Sequence, residues 1–355
     1  ARADGLLLLI AILLFLWWCS IILAPLHSML HVSPITYHAP RSTPYALRLT
    51  FFLILGYLVV MLPWFIRNWQ VIGTILPATG SQTIWLIGYD DLFSYGRDLS
   101  PQTFLAQGFG PIWRGRWWAL TVNLQTVLAV WGMIFLAPLA LSGGWYLRRH
   151  ALVQLSGLYA LLLFGVMTLV FAFPGARGGL FHSGAALLPF IYATAVVGLD
   201  VAVDWVAARR LHWEAGLAKK VFGASLVVMA VALSGFIYTN RVLKNNAWNS
   251  ADLLYPTLAE WVSSHDPHAI VMINNPPAYR YHGGGLSVAV PNEDLTVTLQ
   301  AARRYSVDYL ILEPNHPAPL DQVYAQPLAQ PGLDLVKVFA AGSGHEVYVF
   351  KIIEP

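Results

Sequence analysis

The sequence predicts a multi-pass α-helical membrane protein of about six spans, followed by a C-terminal α/β soluble domain. Three observations carry this. Apolar residues fill 57% of the 355 positions and charged residues only 11%, less than half the roughly 25% charged content of an ordinary soluble domain. Long apolar runs recur up to about residue 240, and the mean hydropathy of the chain is +0.57. Finally, residues 1–240 carry 14 Lys and Arg against 7 Asp and Glu, whereas residues 241–355 carry 7 against 11. A basic, apolar stretch therefore gives way to an acidic one, and the domain boundary is set at 1–240 and 241–355.

A hydrocarbon core of about 30 Å takes roughly 20 helical residues. Runs at 5–24, 49–66, 119–141, 151–173, 184–203 and 221–238 approach that length. The third carries Asn123 and Gln125, and the fifth carries Pro189, with Asp200 and Asp204 at its end. Lipid cannot satisfy such groups, so they are expected to face other helices or a cavity. Connections on one side hold Arg41, Arg48, Arg148, Arg149, Arg209, Arg210, Lys219 and Lys220; those on the other hold Arg2, Arg67, Arg97, Arg114, Arg116 and Arg177. The first set hugs the span ends and includes three dibasic pairs, so it is expected in the cytoplasm. The connection 67–117, the turn 174–182 and the tail then lie outside a plasma membrane.

The tail reads as alternating elements. Leu254, Leu258, Trp261 and Val262 have helical spacing within 250–264, with Ser250 as its opening residue. Strands are expected at 269–273 and 286–290, a helix at 294–305, and a strand at 307–312. That order implies a βαβ unit with a parallel pair. The segments 333–340 and 345–352 alternate about Gly342-Ser343-Gly344, as a hairpin does. The stretch 274–285, with Pro276, Pro277 and three glycines, reads as a loop.

Several functions are disfavoured. No basic-aromatic stripe argues for nucleic acid, and the one cysteine, Cys19, offers neither a disulfide framework nor a cysteine metal site. His282-Gly283-Gly284-Gly285 could suggest an oxyanion loop, but there is no Gly-x-Ser-x-Gly elbow. No Walker loop or dinucleotide fingerprint occurs. His27, His31 and His38 lie close in sequence without a Cys or Glu beside them, and His150 and His182 sit only at the edges of apolar runs. Metal and electron-transfer roles are accordingly weak. The chain opens Ala1-Arg2-Ala3-Asp4 without an initiator Met, so further residues are expected upstream.

The stretch after the second run is the most informative. It reads Pro63-Trp64-Phe65-Ile66-Arg67-Asn68-Trp69, then Gly73 and Pro77, then Gly88-Tyr89-Asp90-Asp91. Aromatics and a cation at a span end serve equally as an interfacial anchor. With Arg2-Ala3-Asp4-Gly5 ahead of the first run, and Arg177, His182 and Leu187-Leu188-Pro189 around the fifth, residues 1–240 resemble GT-C fold glycosyltransferases. The likeness is to the family 39 type, related to aminoarabinose transferases and protein O-mannosyltransferases.

This resemblance implies transfer of a sugar from a polyprenyl-phosphate donor to an extracytoplasmic acceptor. Arg2, Arg177 and His182 would bind the donor phosphate, since cations at the headgroup plane pair with it. The family's catalytic acid follows its first span, which would precede Ala1. Asp90 and Asp91 are weak substitutes whose position departs from the pattern. No cofactor is implied, and a divalent metal is left open. The expected partners are the lipid-linked sugar, membrane lipids and other subunits of a membrane complex. The alternative reading is a non-catalytic structural subunit derived from such a transferase.

Overall fold

The computed structural model describes residues 4–20, 43–75, 82–171, 178–210, 212–244, 251–328, 330–340 and 346–353. The chain divides into two units: the first takes Ala1–Tyr89 and Leu99–Val231, the second Asp90–Asp98 and Ala232–Pro355.

The first unit is helical: α1 (Asp4–Trp18), α2 (Thr43–Ile72), α3 (Pro101–Ala106), α4 (Phe109–Gln125), α5 (Leu136–Tyr146), α6 (Ala151–Gly165), α7 (Gly179–Ser183), α8 (Leu188–Ala207) and α9 (Ala215–Tyr238), the last of which runs on from Val231 into the residues counted with the second unit. Among the described residues, the stretches Pro44–Ile72, Ala151–Val170, Gly179–Ala207 and Ala215–Lys244 are long and apolar enough to cross a membrane. They are apolar around most of their circumference. Only 6% of the most apolar window of Pro44–Ile72 is buried, and none of that in Ala215–Lys244. A helix like that needs apolar surroundings.

Two of the expected runs take a different shape. The run at 119–141 is not one straight helix: Phe109–Trp131 and Leu136–Tyr146 meet at 88°. A π-helical stretch, Thr126–Trp131, leads into the break, where Met133 and Ile134 adopt positive φ of 44° and 63°. For a β-branched residue such as Ile134 that backbone is costly. Counted as one, the bent pair makes a fifth membrane-length element. In the second case, α2 does not stop near Ile66. It continues through Pro63, Arg67 and Trp69 to Ile72, and Gly73 at φ 70° closes it, its N–H donating to the Trp69 carbonyl at 3.1 Å. Glycine is the residue that takes this left-handed capping position without strain. The expected run at 5–24 is described only as far as Ser20, in which α1 is a shorter apolar helix.

Helices α5 and α8 cross at two glycines. A Cβ at Gly143 would overlap the Thr194 carbonyl, and one at Gly198 would overlap the Leu139 carbonyl. Small residues let helix backbones approach to this distance. Asn123 is buried on α4 and donates to the Met167 carbonyl at 3.2 Å and the Thr168 hydroxyl at 3.1 Å, so it faces another helix as expected. Gln125 differs: it is exposed. Asp204 meets Lys219 at 2.8 Å.

The second unit is a five-stranded sheet in the order β2-β1-β3-β5-β4, from β1 (Val271–Ile273), β2 (Ser287–Ala289), β3 (Tyr309–Leu312), β4 (Leu333–Ala340) and β5 (Glu346–Ile352). Strands β2, β1 and β3 are parallel, while β5 runs antiparallel to both β3 and β4. Its helices are α10 (Ala251–His265), α11 (Pro276–Tyr281), α12 (Leu295–Arg304) and α13 (Asp321–Ala325). Successive strand residues point to opposite faces, and here each face has its own core. Val271, Ile273, Tyr309 and Ile311 join Tyr255, Leu258 and Val262 of α10. Met272, Leu310 and Leu312 join Ala301 and Ala302 of α12, with Phe350 of β5. Coverage on both faces explains why β1 and β3 are uninterrupted apolar runs.

The stretch expected as loop at 274–285 contains α11. Asn275 caps it through its side-chain oxygen, which accepts from Ala278 N at 3.2 Å, and the two prolines occupy the first turn, where no N–H is needed.

Candidate functional site

Of the residues picked out from sequence, Arg2 and Arg177 lie outside the described residues, as do His27, His31 and His38. His182 is exposed on the short α7, its ring edge-on to Phe181 at 5.5 Å. Beneath α7 lies the main buried cluster of the first unit. Ala11 of α1, Trp131, Tyr159 and Leu163 of α6, Met167, Leu180 and Leu187 are its buried members, with Leu7, Leu188 and Ile191 packed against them. Gly184 makes the arrangement possible, because a Cβ there would overlap the Trp131 indole. Leu180, Leu187, Leu188 and Ile191 thus share one core with Leu7 and Ala11 of α1.

Arg116 has a different role. Its guanidinium and Nε donate to the carbonyls of Leu169 at 2.8 Å, Val170 at 3.3 Å and Leu86 at 3.4 Å, and it lies over the Phe104 ring at 5.6 Å. The π-helical turn Val166–Val170 ends there, and helix ends leave carbonyls without helical partners. Arg116 satisfies them. Asn68, in the motif that carries the family resemblance, is also buried, and its amide donates to the Ile75 carbonyl at 3.2 Å. Both polar groups fix backbone.

Asp90 and Asp91 open a short 3-10 turn, Asp90–Phe93. Asp91 is bound by Arg97 at 3.0 Å, and Arg97 also reaches Glu293 at 3.3 Å. The Phe93 carbonyl accepts from Asn292 N at 3.0 Å, and Tyr95 meets Tyr305 edge-on at 6.4 Å. This hairpin of residues therefore belongs to the sheet-bearing unit, whereas His182 belongs to the helical one. No groups of three or more His, Cys, Asp or Glu placed to hold a metal occur among the described residues.

One polar cluster was not singled out from sequence. Glu313 follows β3 directly and is buried; Tyr255 of α10 donates to its Oε1 at 2.7 Å. The backbone N–H of Asn274, just past β1, also donates to this carboxyl. Burial pushes the Glu313 carboxyl above its ordinary range, and the two hydrogen bonds oppose that only in part. Burial likewise pushes the Tyr255 hydroxyl up, and the neighbouring Glu313 charge adds to it. His316 completes the edge, with Nδ1 donating to the Glu313 carbonyl at 2.8 Å and Nε2 3.1 Å from Asp321. The signal was available: a lone Glu closing the apolar run Tyr309–Leu312. The glycines after His282 are structural. Gly283 has φ 92°, and a Cβ at Gly284 would overlap the Tyr279 ring.

No family model, curated protein or solved structure matches the chain.

Proposed function

We propose that the chain is a multi-pass membrane glycosyltransferase, or the C-terminal part of one, that moves a sugar from a polyprenyl-phosphate donor to an extracytoplasmic acceptor. The reading is carried by the shared core of α1 and the Leu180–Ile191 stretch. Two of the sequence stretches that resemble the GT-C family, far apart in the chain, are neighbours there. Arg2 precedes α1 in sequence, and Arg177 and His182 precede Gly184; the family resemblance assigns the donor phosphate to all three. A phosphate diester needs such partners, since a low-dielectric wall does not tolerate its charge unpaired. Attack at the anomeric carbon needs a base for the acceptor's proton and stabilisation of the departing phosphate. These cations serve the second need.

A second reading, a non-catalytic subunit of a membrane complex, is favoured by the pairing of Asp91 with Arg97, which gives the acidic pair a structural task. Binding of a radiolabelled polyprenyl-phosphate sugar to the detergent-solubilised chain separates the two. Arg177→Ala should weaken that binding about tenfold, the loss of one charge-assisted contact of about 1.5 kcal/mol, and Arg97→Ala less than about twofold. Equal small effects from both, or no donor binding by the unaltered chain, would leave the subunit reading.

A further inference from the structure

We propose that the exposed face of α4 is a docking surface for anionic phospholipid, with Arg114 holding the lipid phosphate and an aromatic ladder fixing the depth of the headgroups. The inference rests on the membrane reading of the chain and not on the transferase reading.

Helix α4 has two unlike faces. Inward it carries Gly115, where a Cβ would come within 2.7 Å of the Ile87 carbonyl, then Arg116 turned into backbone carbonyls, and the buried Ala119 and Asn123. Outward it carries Phe109, Trp113 and Trp117, one helical turn apart. Their rings stack in sequence, 6.0 Å apart at 14° and then 6.3 Å apart at 27°. Phe109 is 77% exposed, Trp113 55% and Trp117 56%. An open groove of about 620 Å³ runs along this face, lined by Trp113, Arg114, Trp117, Trp118 and Thr121. Arg114 is exposed on the groove and makes no ion pair among the described residues.

What occupies the face follows from how its composition changes along the helix. Toward Phe109 the exposed residues are aromatic and basic. Farther on, the same side exposes Leu124 and Leu128, and the helix goes on into the bent, membrane-length pair. Indoles favour the headgroup level, because the ring is apolar while its N–H seeks a polar partner. Leucines favour hydrocarbon. Eleven residues separate Trp113 from Leu124, about 16 Å of helix, close to half of a hydrocarbon core of about 30 Å. With the indoles at one headgroup plane, Leu124 falls near the bilayer centre. Arg114 then sits among phosphates, where a guanidinium forms paired hydrogen bonds. A carbohydrate groove or a protein contact would not call for aliphatic residues in continuation of the same face.

The test uses the full chain in vesicles of phosphatidylcholine and phosphatidylglycerol. With Cys19→Ala as background, Trp113→Cys, Trp117→Cys and Leu124→Cys are each labelled with a small fluorophore. A headgroup nitroxide should quench labels at 113 and 117 more than a mid-chain nitroxide does, and the order should reverse at 124. Native mass spectrometry should find phosphatidylglycerol retained over phosphatidylcholine by the unaltered chain. Arg114→Gln should bring that preference to parity and Arg114→Lys should keep part of it. Labels at 113 and 117 indifferent to both nitroxides would overturn the depth assignment. An unchanged preference in Arg114→Gln would overturn the phosphate contact. Neither readout involves sugar transfer, so their failure is distinct from failure of the transferase reading.

Discussion

The strand Tyr309–Leu312 and the helix Ala215–Tyr238 are both almost wholly apolar, yet every residue of the strand is buried and no residue of the helix is. The strand lies between α10 and α12, and alternate residues feed a core on each face. The helix instead presents Val227, Val228, Val231 and Phe236 outward, each more than 60% exposed. The same residue types thus serve opposite ends. In the sheet they are removed from water by the protein itself. In the helix that removal is left to the surroundings, which is the physical content of reading the first unit as membrane-embedded.

Truncation should break this symmetry most sharply. Ile311→Ala leaves a cavity in a sealed core and is expected to cost about 2–5 kcal/mol. Val228→Ala removes a methylated surface facing solvent or lipid and should stay within about 0.5 kcal/mol. Hydrogen exchange on the full chain in micelles reads both, through amide protection in β1, β3 and β5 for the first and in α9 for the second. A large loss of protection from Val228→Ala would mean that α9 is covered by protein. A charge sharpens the contrast: Val228→Asp should impair membrane insertion, since Asp near a helix centre costs about 3 kcal/mol on insertion scales.

Within the helical unit, the tightest constraint is the α5–α8 crossing. Gly198→Val must push against the Leu139 carbonyl and the Ser142 hydroxyl, and overpacking of that kind costs about 1–3 kcal/mol. Gly157, on α6, has open space around it, so Gly157→Ala should be neutral or mildly stabilising by helix propensity. Thermal unfolding in detergent distinguishes them; equal effects would argue against a close crossing.

The two units also differed in how far sequence disclosed them. Alternation and apolar spacing are local, so most strands and helices of the tail could be read directly, the helix expected at 294–305 among them; the structure adds that Asp294 caps it, its side chain accepting from Val297 N at 3.0 Å. The short α11 went unread because Pro276 and Pro277 signal a turn as readily as a first helical turn. In the first unit, hydropathy locates apolar runs but is blind to bends. Gly132 hinted at a break before Leu136, whereas nothing about Met133 or Ile134 announces positive φ. Asp90–Asp98 was beyond any local rule, because its fate depends on Asn292, Glu293 and Tyr305, two hundred residues on in rough terms. For the candidate site, Arg2, Arg177 and His182 were picked out from sequence, but only His182 falls on described residues, and the packing of Leu180 and Leu187 with α1 is a long-range matter that no local pattern announces.

A pH effect of intermediate size should belong to the sheet unit alone. Glu313 has a folded pKa raised above the ordinary 4.5 by burial. A raised pKa means the folded state binds the proton more tightly than the unfolded chain does. Its contribution is therefore fully present below the unfolded value and is lost as pH rises through the folded one. Protection of β1 and β3 should accordingly fall as pH is raised from 4.5 toward neutrality, and Glu313→Gln should flatten that slope. Tyr255→Phe removes a hydrogen bond that favours the ionised carboxyl, so it should move the fall to higher pH. A slope that survives Glu313→Gln would assign it to another group.

The smallest effect tests Asp90–Asp98, a stretch from the helical half that belongs to the sheet unit. Arg97 bridges Asp91 and Glu293, but its side chain is 34% exposed, so solvent and salt screen both pairs. Exposed ion pairs are worth about 0.2–1 kcal/mol in double-mutant cycles. Arg97→Ala should thus weaken attachment of Asp90–Asp98 slightly, and the difference from the unaltered chain should shrink as salt rises toward about 1 M, where the Debye length is about 3 Å. The Tyr95–Tyr305 contact is of another kind. Tyr95 packs against the core that holds Leu310 and Phe350, and aromatic pairs add about 0.5–1.5 kcal/mol beyond the area they bury. Tyr95→Ala should therefore release the segment more than Arg97→Ala does, with little dependence on salt. Exchange of the Asn292 amide, which donates to the Phe93 carbonyl, reports release in both variants. If Arg97→Ala freed that amide as fully as Tyr95→Ala and salt did the same to the unaltered chain, charge and not packing would hold the segment, and its place in the sheet unit would depend on ionic strength.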